Sequence, residues 1–305
     1  MAVGSDRRRS CGGSWMPPES LSAHLLRRIL RSRARGSTRL AILLAQASPQ
    51  WREAPVQVGD STVFVDLREA SSHGLFVGQL PEESERRFLQ RRVGLGQVVV
   101  DVGSHWGLYT VQLASQVGPG GRVFAFEPCP SVLPCLRRTV AALPNVTLFP
   151  AAASDNSGTT SFTVPPDASM ASLADWTGAG RRVRTYAIET VRIDDLLQDG
   201  RIWPADFVKC DVEGAEALVV RGAIKFLNRP AAPVVMLEVN SRAAGAFGLK
   251  STQALDCLAQ LEAARYGFFA LDGGGRLVPL SASPERAWNV FAVPARRAQW
   301  LEAGC

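Results

Sequence analysis

The chain has 305 residues, of which 46% are hydrophobic and 20% charged, with 27 glycines and 19 prolines. This size suits one large domain or two small ones, and the composition excludes a largely disordered chain, a collagen and a coiled coil. Residues 1–40 hold nine arginines and two acids, a net charge of +7, so a formal total of +6 leaves about −1 for the rest. A neutral body disfavours nucleic-acid binding, which needs a basic face on the folded domain.

The arginine-rich segment is predicted to be a basic, partly disordered N-terminal extension, residues 1–50. Residues 1–18 have the glycine, proline and arginine content of a disordered segment, and residues 20–46 have the leucine spacing of a basic helix. The preferred interpretation is a solvated helix packed on the body. A transit peptide, or a basic tail that contacts a membrane surface or an acidic partner, fits the same composition.

Neither a membrane span nor a metal site is indicated. No apolar run approaches the roughly 20 residues that cross a bilayer, so no transmembrane segment is expected. The six cysteines are dispersed without a C-x-x-C pair, and only three histidines accompany them. This pattern disfavours zinc and favours reduced, buried thiols in a cytoplasmic protein.

The remainder, residues 51–305, is predicted to be one domain. Apolar residues alternate between 55 and 70, which predicts a β-hairpin, and the charged stretch 81–91 predicts a helix, so both lie within 51–96. From Gln97 onward, β-branched and aromatic runs alternate with helical patterns. The strands predicted there are 98–100, 123–126, 146–149, 207–211, 234–238, 268–271 and 290–293, with helices at 106–117, 131–143, 214–228 and 252–265.

This alternation predicts an α/β fold with a doubly wound, mostly parallel, seven-stranded sheet. Three glycines at 273–275 separate the last two strands and predict an antiparallel hairpin at the sheet edge. Residues 156–204 interrupt the alternation and are expected to form a small β insertion, either a hairpin or a flap.

Acidic residues stand at or just after five of the predicted strands. Ligands of open α/β sheets bind beyond the carboxyl ends of the strands, so these acids are expected to share one site. They are Asp101, Glu127, Asp155, Asp211 and Glu238.

The first of these strands leads into a glycine loop, DVGSHWG at 101–107, where a helix begins. Free N–H groups at a helix start favour an anion, but the spacing matches neither G-x-G-x-x-G nor the Walker phosphate loop. Glu127 ends the next strand twenty residues after Gly107, where an acid binds a ribose diol. Loop and acid together predict an adenosine-type cofactor whose anionic group is the carboxylate of a methionine moiety. Asp101 would then pair with the ammonium group of that cofactor.

Six segments carry a family resemblance, and they occur in the family's order. They are DVGSHWGLYT (101–110), GRVFAFEP (121–128), AAASDNSG (151–158), TVRIDDLL (190–197), FVKCDVEGAEALVVRGA (207–223) and VVMLEVN (234–240). They resemble the FkbM family of S-adenosylmethionine-dependent methyltransferases over roughly 56–294. The resemblance implies a class I Rossmann-like fold and methyl transfer, usually to a hydroxyl oxygen, on a sugar, glycan or natural product. Residues 51–305 would then be a methyltransferase domain.

Roles for individual residues are a hypothesis based on their positions: Asp211 and Glu213 are two apart at one strand end, and Glu238 ends another strand. Asp211 is expected to hold the methionine end of S-adenosylmethionine, while Glu213 or Glu238 orients or deprotonates the acceptor. His105 stands where the family usually has asparagine and is an alternative base. The residues expected to bind the cofactor are Asp101, Gly103, Ser104, His105, Gly107, Thr110, Glu127, Ala152 and Asp211.

Several alternatives remain open at this point. The same fold could carry N-methylation, or could serve as a non-catalytic cofactor-binding or scaffold protein. Lys209, Asp211 and Glu213 could form a structural charge cluster at a strand end. A nicotinamide oxidoreductase is disfavoured by the missing G-x-G-x-x-G, and nucleic-acid methylation by the missing Asn/Asp-Pro-Pro-aromatic motif.

Overall fold

The computed structural model of the protein describes residues 21–32, 34–166, 168–174, 183–280 and 289–302. The predicted disorder of residues 1–18 lies outside the described residues, as does part of the predicted insertion. None of the helices described is long and apolar enough to pass through a bilayer.

The helices and strands of the described residues are numbered here in chain order. The α-helices are α1 Leu21–Arg31, α2 Ser37–Gln46, α3 Ser72–Phe76, α4 Glu83–Arg92, α5 Leu108–Val117, α6 Leu133–Val140, α7 Ile193–Gln198, α8 Glu216–Arg221, α9 Ile224–Leu227, α10 Ser241–Ala246 and α11 Gln253–Ala259. The β-strands are β1 Ala54–Val58, β2 Ser61–Val65, β3 Val98–Val102, β4 Arg122–Phe126, β5 Val146–Phe149, β6 Ala152–Ala153, β7 Gly158–Val164, β8 Arg184–Val191, β9 Phe207–Cys210, β10 Val234–Glu238, β11 Tyr266–Leu271, β12 Leu277–Pro279 and β13 Asn289–Pro294.

The central sheet has the order β12-β11-β13-β10-β9-β3-β4-β5. The five strands from β10 to β5 in this order are parallel, and β13, β11 and β12 pair antiparallel. The predicted α/β class with a mostly parallel sheet is therefore confirmed.

The antiparallel side of the sheet differs in detail from the prediction. The glycine turn joins β11 to an eighth strand, β12, and β13 returns between β10 and β11. All six residues of β13 are buried, which suits an interior strand, whereas two of the three residues of β12 are exposed, which suits an edge.

The parallel strands are apolar on both faces because helices cover both sides of the sheet. Val100 and Val208 belong to the hydrophobic cluster on one face, and Val99 and Phe207 belong to the cluster on the other. Successive residues of a strand point to opposite faces, so the unbroken valine runs supply both cores.

Two predicted helices are each divided in the structure, and a glycine stands at each division. Gly36, with φ 88°, separates α1 from α2. Gly222 separates α8 from α9, and a Cβ atom there would lie 1.8 Å from the carbonyl oxygen of Ser154. Only glycine permits this close approach of the chain to Ser154 at the division between the two helices.

The segment that follows the N-terminal hairpin and the insertion both lie at the carboxyl ends of the parallel strands. Strands β1 and β2 pair antiparallel, and β6, β8 and β7 form a separate three-stranded sheet. We call residues 66–82 and the described part of 158–174 the roof. The two parts of the roof are joined by a hydrogen bond of 3.2 Å from the Ala168 amide to Glu69 Oε2.

Candidate functional site

A cavity of about 450 Å³ lies at the carboxyl ends of β3, β4 and β9. The strand order reverses between β3 and β9, and such a reversal opens the crevice in which doubly wound sheets bind ligands. The last residues of these three strands and the loops that follow them form the floor of the cavity. We define the floor as residues 102–106, 126–128 and 209–215. The roof closes the opposite side with residues that include Leu75 and Phe162.

The glycine loop is packed tightly into the floor. Gly103 has φ 81°, and a Cβ atom on it would lie 1.8 Å from the carbonyl oxygen of Asp211. The amides of Gly103 and Ser104 both donate to the carbonyl oxygen of Phe126 at 3.0 Å. The loop is thus fixed against the ends of both neighbouring strands, and only glycine fits at position 103.

Glu127 places a carboxylate at the end of β4, on the cavity wall. Its two oxygens accept hydrogen bonds of 2.8 Å from the backbone amides of His105 and Cys129. Burial raises the pKa of Glu127 to about 7, and the two amide donors act in the opposite direction. These amides orient the carboxylate, and each oxygen keeps a lone pair for a ligand.

Lys209 is a buried cation within the floor. Its Nζ donates to the carbonyl oxygen of Gly103 at 2.9 Å and lies 3.2 Å from Asp211 Oδ2 and 3.9 Å from Asp101 Oδ1. Burial alone would lower the pKa of Lys209, but the carboxylates of Asp211, Asp101 and Glu82 outweigh it and raise this pKa. One ammonium group therefore joins the glycine loop to the end of β9.

Asp101 is completely buried behind the loop. Its Oδ2 accepts a hydrogen bond of 2.6 Å from Thr110 Oγ1 on α5. Burial raises the pKa of Asp101, while Lys209 and the Thr110 hydroxyl act in the opposite direction.

Three carboxylates meet where β9 and β10 end. Oxygen atoms of Asp211, Glu213 and Glu238 all lie within 4.8 Å of one another, close enough for the three to hold a metal ion. The number of acids in the sequence left a metal possible, although no ligand spacing required one. Burial, followed by repulsion from Asp211, Glu213 and Glu216, raises the pKa of Glu238 to about 10. Glu238 is therefore protonated near neutral pH, which relieves the repulsion in this group.

Backbone strain is concentrated at the cavity. Four non-glycine residues in the described part of the chain have positive φ, and three of them line the cavity: Glu82 at 50°, His105 at 48° and Glu213 at 54°. Such conformations cost on the order of 1–3 kcal/mol each and persist where the surrounding structure enforces them, as at functional sites. The Glu213 carbonyl is held from the roof by Ser172 Oγ at 2.8 Å.

The structure brings most of the predicted site residues to one cavity. Those that line it are Gly103, Ser104, His105, Glu127, Ala152, Asp211 and Glu213. Four others lie outside the lining, namely Asp101, Gly107, Thr110 and Glu238. For Gly107 the reason is packing, since a Cβ atom there would lie 2.9 Å from Leu136 Cδ1 and 3.0 Å from Thr139 Cγ2 on α6. These four residues stand behind the residues that face the cavity.

Sequence reasoning assigned no role to two residues that shape the floor. Glu216 is buried, and its Oε1 accepts from the amides of Val212 and Gly214 at 3.0 and 3.3 Å, which fixes the turn that carries Glu213. Tyr109 lines the cavity with its ring 5.4 Å from Lys209 Nζ. The one sequence signal for Glu216 is that it is an acid at the start of a helix, in E-G-A-E at residues 213–216. Acids are common in the first turn of any helix, so this signal does not indicate a special role.

Comparison with known proteins gives a family match and more distant relatives. The model of the methyltransferase FkbM domain matches residues 101–268. The 2-O-methyltransferase NoeI of Sinorhizobium fredii is 26% identical over an alignment of 145 residues that covers 43% of this chain. The matched part spans 59% of the length of NoeI.

Two similar solved structures are also methyltransferases. Methyltransferase FkbM from Methylobacillus flagellatus has 14% identity and a TM-score of 0.41. The alignment covers 89% of this chain and 58% of the Methylobacillus chain. A SAM-dependent O-methyltransferase from Thermotoga maritima has 13% identity and a TM-score of 0.40, and the alignment covers 79% of this chain and 77% of the Thermotoga chain. The family model covers more than half of the chain, and four of the six segments that carry the resemblance contribute residues to the cavity lining. The chain therefore belongs to the FkbM methyltransferase domain family.

Proposed function

We propose that the protein is an S-adenosylmethionine-dependent O-methyltransferase that acts on a hydroxyl of a saccharide or natural-product small molecule. One observation carries the proposal: Glu127 and Asp211 face one cavity from either side of the glycine loop, and Glu213 faces it beside Asp211. The name of the relative NoeI, a 2-O-methyltransferase, supports oxygen as the acceptor atom.

The residues present fit the proposed cofactor. Glu127 offers acceptor lone pairs for ribose hydroxyls, and Asp211 offers a carboxylate for the ammonium group. Ala152 and Pro128 provide apolar surface next to Glu127 for an adenine ring. The cavity volume of about 450 Å³ lies within the range of roughly 300–1,000 Å³ that is usual for small-molecule sites.

When bound, S-adenosylmethionine supplies an electrophilic methyl group. The floor holds the reacting groups in place, because Lys209 fixes both the glycine loop and Asp211. Orienting bound reactants in this way can contribute roughly 7–11 kcal/mol to lowering a barrier.

The acceptor hydroxyl must lose its proton, and Glu213 is the proposed base. It lines the cavity, whereas Glu238 lies outside the lining and retains its own proton because its pKa is raised. We assign to Glu238 a positioning role and to Glu213 the contact with the acceptor.

Calorimetric titration tests the cofactor assignment first. Wild-type protein is expected to bind S-adenosylmethionine and not NADH, and Glu127→Ala is expected to lose this binding while remaining folded. Binding of NADH alone, or no binding of S-adenosylmethionine by folded protein, would refute the assignment and favour an oxidoreductase or a scaffold protein.

Product analysis then tests the acceptor and the base. Incubation with methyl-labelled S-adenosylmethionine and a panel of saccharides, polyols and amines should yield methyl ethers, identified by mass spectrometry. Glu213→Gln should lower kcat by about 10²–10⁴-fold and leave cofactor affinity unchanged, because a placed base contributes about that much. The exposed Glu189→Gln is the matched control. Methylated amines as the products would contradict oxygen as the acceptor atom. An unchanged kcat in Glu213→Gln would contradict Glu213 as the base.

A further inference from the structure

The two N-terminal helices form a hairpin whose inner side is packed on the body. Leu26 of α1 and Ala41 and Ala45 of α2 are buried in one hydrophobic cluster with Trp51 and Phe76. The hairpin is therefore part of the fold, and its orientation on the body is defined.

The outer side of the hairpin exposes leucines. Leu40, Leu43 and Leu44 of α2 are 46%, 62% and 38% exposed, and their spacing places them together on one face of the helix. Leu25 of α1 is 57% exposed. The described part of the chain exposes ten large hydrophobic residues, and four of them lie in this one hairpin. Exposed leucines are therefore concentrated on the hairpin. A contiguous apolar patch on a helix commonly marks an interaction surface.

The same segment is strongly cationic. Residues 21–50 contain six arginines and no acidic residue. Arg28, Arg31, Arg35 and Arg39 are exposed on or between the two helices. Arg28 follows Leu25 by three positions, so the two lie on one face of α1, and Arg39 directly precedes Leu40.

We propose that the α1–α2 hairpin docks on the surface of a bilayer that contains anionic lipids. Anionic headgroups complement the arginines, and the acyl boundary accepts the leucines, which is how amphipathic helices lie in an interface. A phosphate backbone would complement the arginines alone and would leave the leucines in water. The combination of both residue types on one surface therefore favours the bilayer over a nucleic acid.

The docked hairpin would lie one helix away from the cavity. Arg27 of α1 donates from Nε to the carbonyl oxygen of Phe76 at 3.1 Å, and its guanidinium lies 4.8 Å from the Phe76 ring centroid. Phe76 ends α3, and Gly74 and Leu75 of α3 line the cavity. The roof would thus be brought near the membrane. The docking itself does not depend on the proposed methyl transfer.

Vesicle cosedimentation tests the proposal on the full chain. Vesicles of phosphatidylglycerol and phosphatidylcholine in equal parts should sediment the wild-type protein, vesicles of phosphatidylcholine alone should not, and added salt should weaken binding. Arg28→Gln with Arg39→Gln should weaken binding at least tenfold, since each arginine near an anionic surface contributes about 1 kcal/mol, or about fivefold. Leu40→Ser, Leu43→Ser and Leu44→Ser together should also weaken it at least tenfold.

Matched controls come from elsewhere on the surface. Leu95→Ser, at a leucine that is 81% exposed, and Arg87→Gln, at an exposed arginine of α4, should bind vesicles like the wild type. Thermal melting verifies folding, and Leu43→Ser alone provides a milder variant that should give a smaller decrease. Equal binding to both vesicle types, or full binding by the leucine variant, would overturn the proposal. So would tight binding to polyuridylate or to an acidic peptide without binding to vesicles.

Discussion

The floor and the roof face the same cavity, but they are held together by different forces. The floor residues follow buried parallel strands, and their polar groups are fixed by Lys209 and by backbone amides from neighbouring strands. The roof comes from two segments that are distant in sequence, joined to each other and to the floor by hydrogen bonds such as those of Glu69 and Ser172. Under the proposed function, the floor would hold the cofactor and the roof would contact the acceptor.

The largest expected effect is the loss of the floor's buried cation. Lys209→Met should lower the free energy of unfolding by about 3–5 kcal/mol, because removing one partner of a buried ion pair leaves Asp101 and Asp211 uncompensated. Urea denaturation followed by circular dichroism measures this change, and the exposed Lys225→Met is the control. If both variants are equally stable, Lys209 does not organise the floor.

A pair of glycine substitutions compares the floor with the roof directly. Gly103→Ala should cost roughly 2–4 kcal/mol, because the added carbon overlaps the Asp211 carbonyl oxygen and the positive φ disfavours alanine. Gly74→Ala in α3 should be neutral or slightly stabilising, since the nearest atom to its Cβ would be the carbonyl oxygen of Gln79 at 3.5 Å. Equal losses of stability in the two variants would show that the roof is as tightly packed as the floor.

The third prediction concerns the proton that Glu238 holds at the end of β10. The pKa of Glu238 is raised from 4.5 to about 10, so between these values the folded protein binds a proton that the unfolded chain has released. Stability should therefore fall as the pH rises through this range, with Glu127 and Glu216, whose pKa values are raised to about 7, contributing up to that pH.

Glu238→Gln isolates this contribution. The variant should be more stable than the wild type at about pH 9, by on the order of 2 kcal/mol, and should approach it in stability at about pH 5. Melting temperatures across this range provide the measurement, with the exposed Glu262→Gln as the control. An unchanged pH profile in Glu238→Gln would show that this carboxyl group is ionised in the folded state.

The sequence predicted the floor better than the roof because strand ends carry local signals. The valine run of β3, the glycine loop and Glu127 could each be located from short-range pattern, and all of them meet at the predicted edge of the sheet. For the roof, the sequence predicted a β insertion within 156–204 but not where it would pack, since the positions of the two roof segments depend on long-range contacts between them. For the same reason Glu216 and Tyr109 received no role from the sequence.

Sequence alone determined the α/β class, the family resemblance and the identity of the acids at the strand ends, because hydrophobic periodicity and motif order are properties of neighbouring residues. The tertiary structure decided which of those acids reach the cavity. It placed Glu213 on the wall and Glu238 behind it, and it turned Asp101 inward to Thr110 and Lys209. The physical reason is that a carboxylate's role depends on its burial and its partners, and these are set by chain segments that lie far apart in sequence.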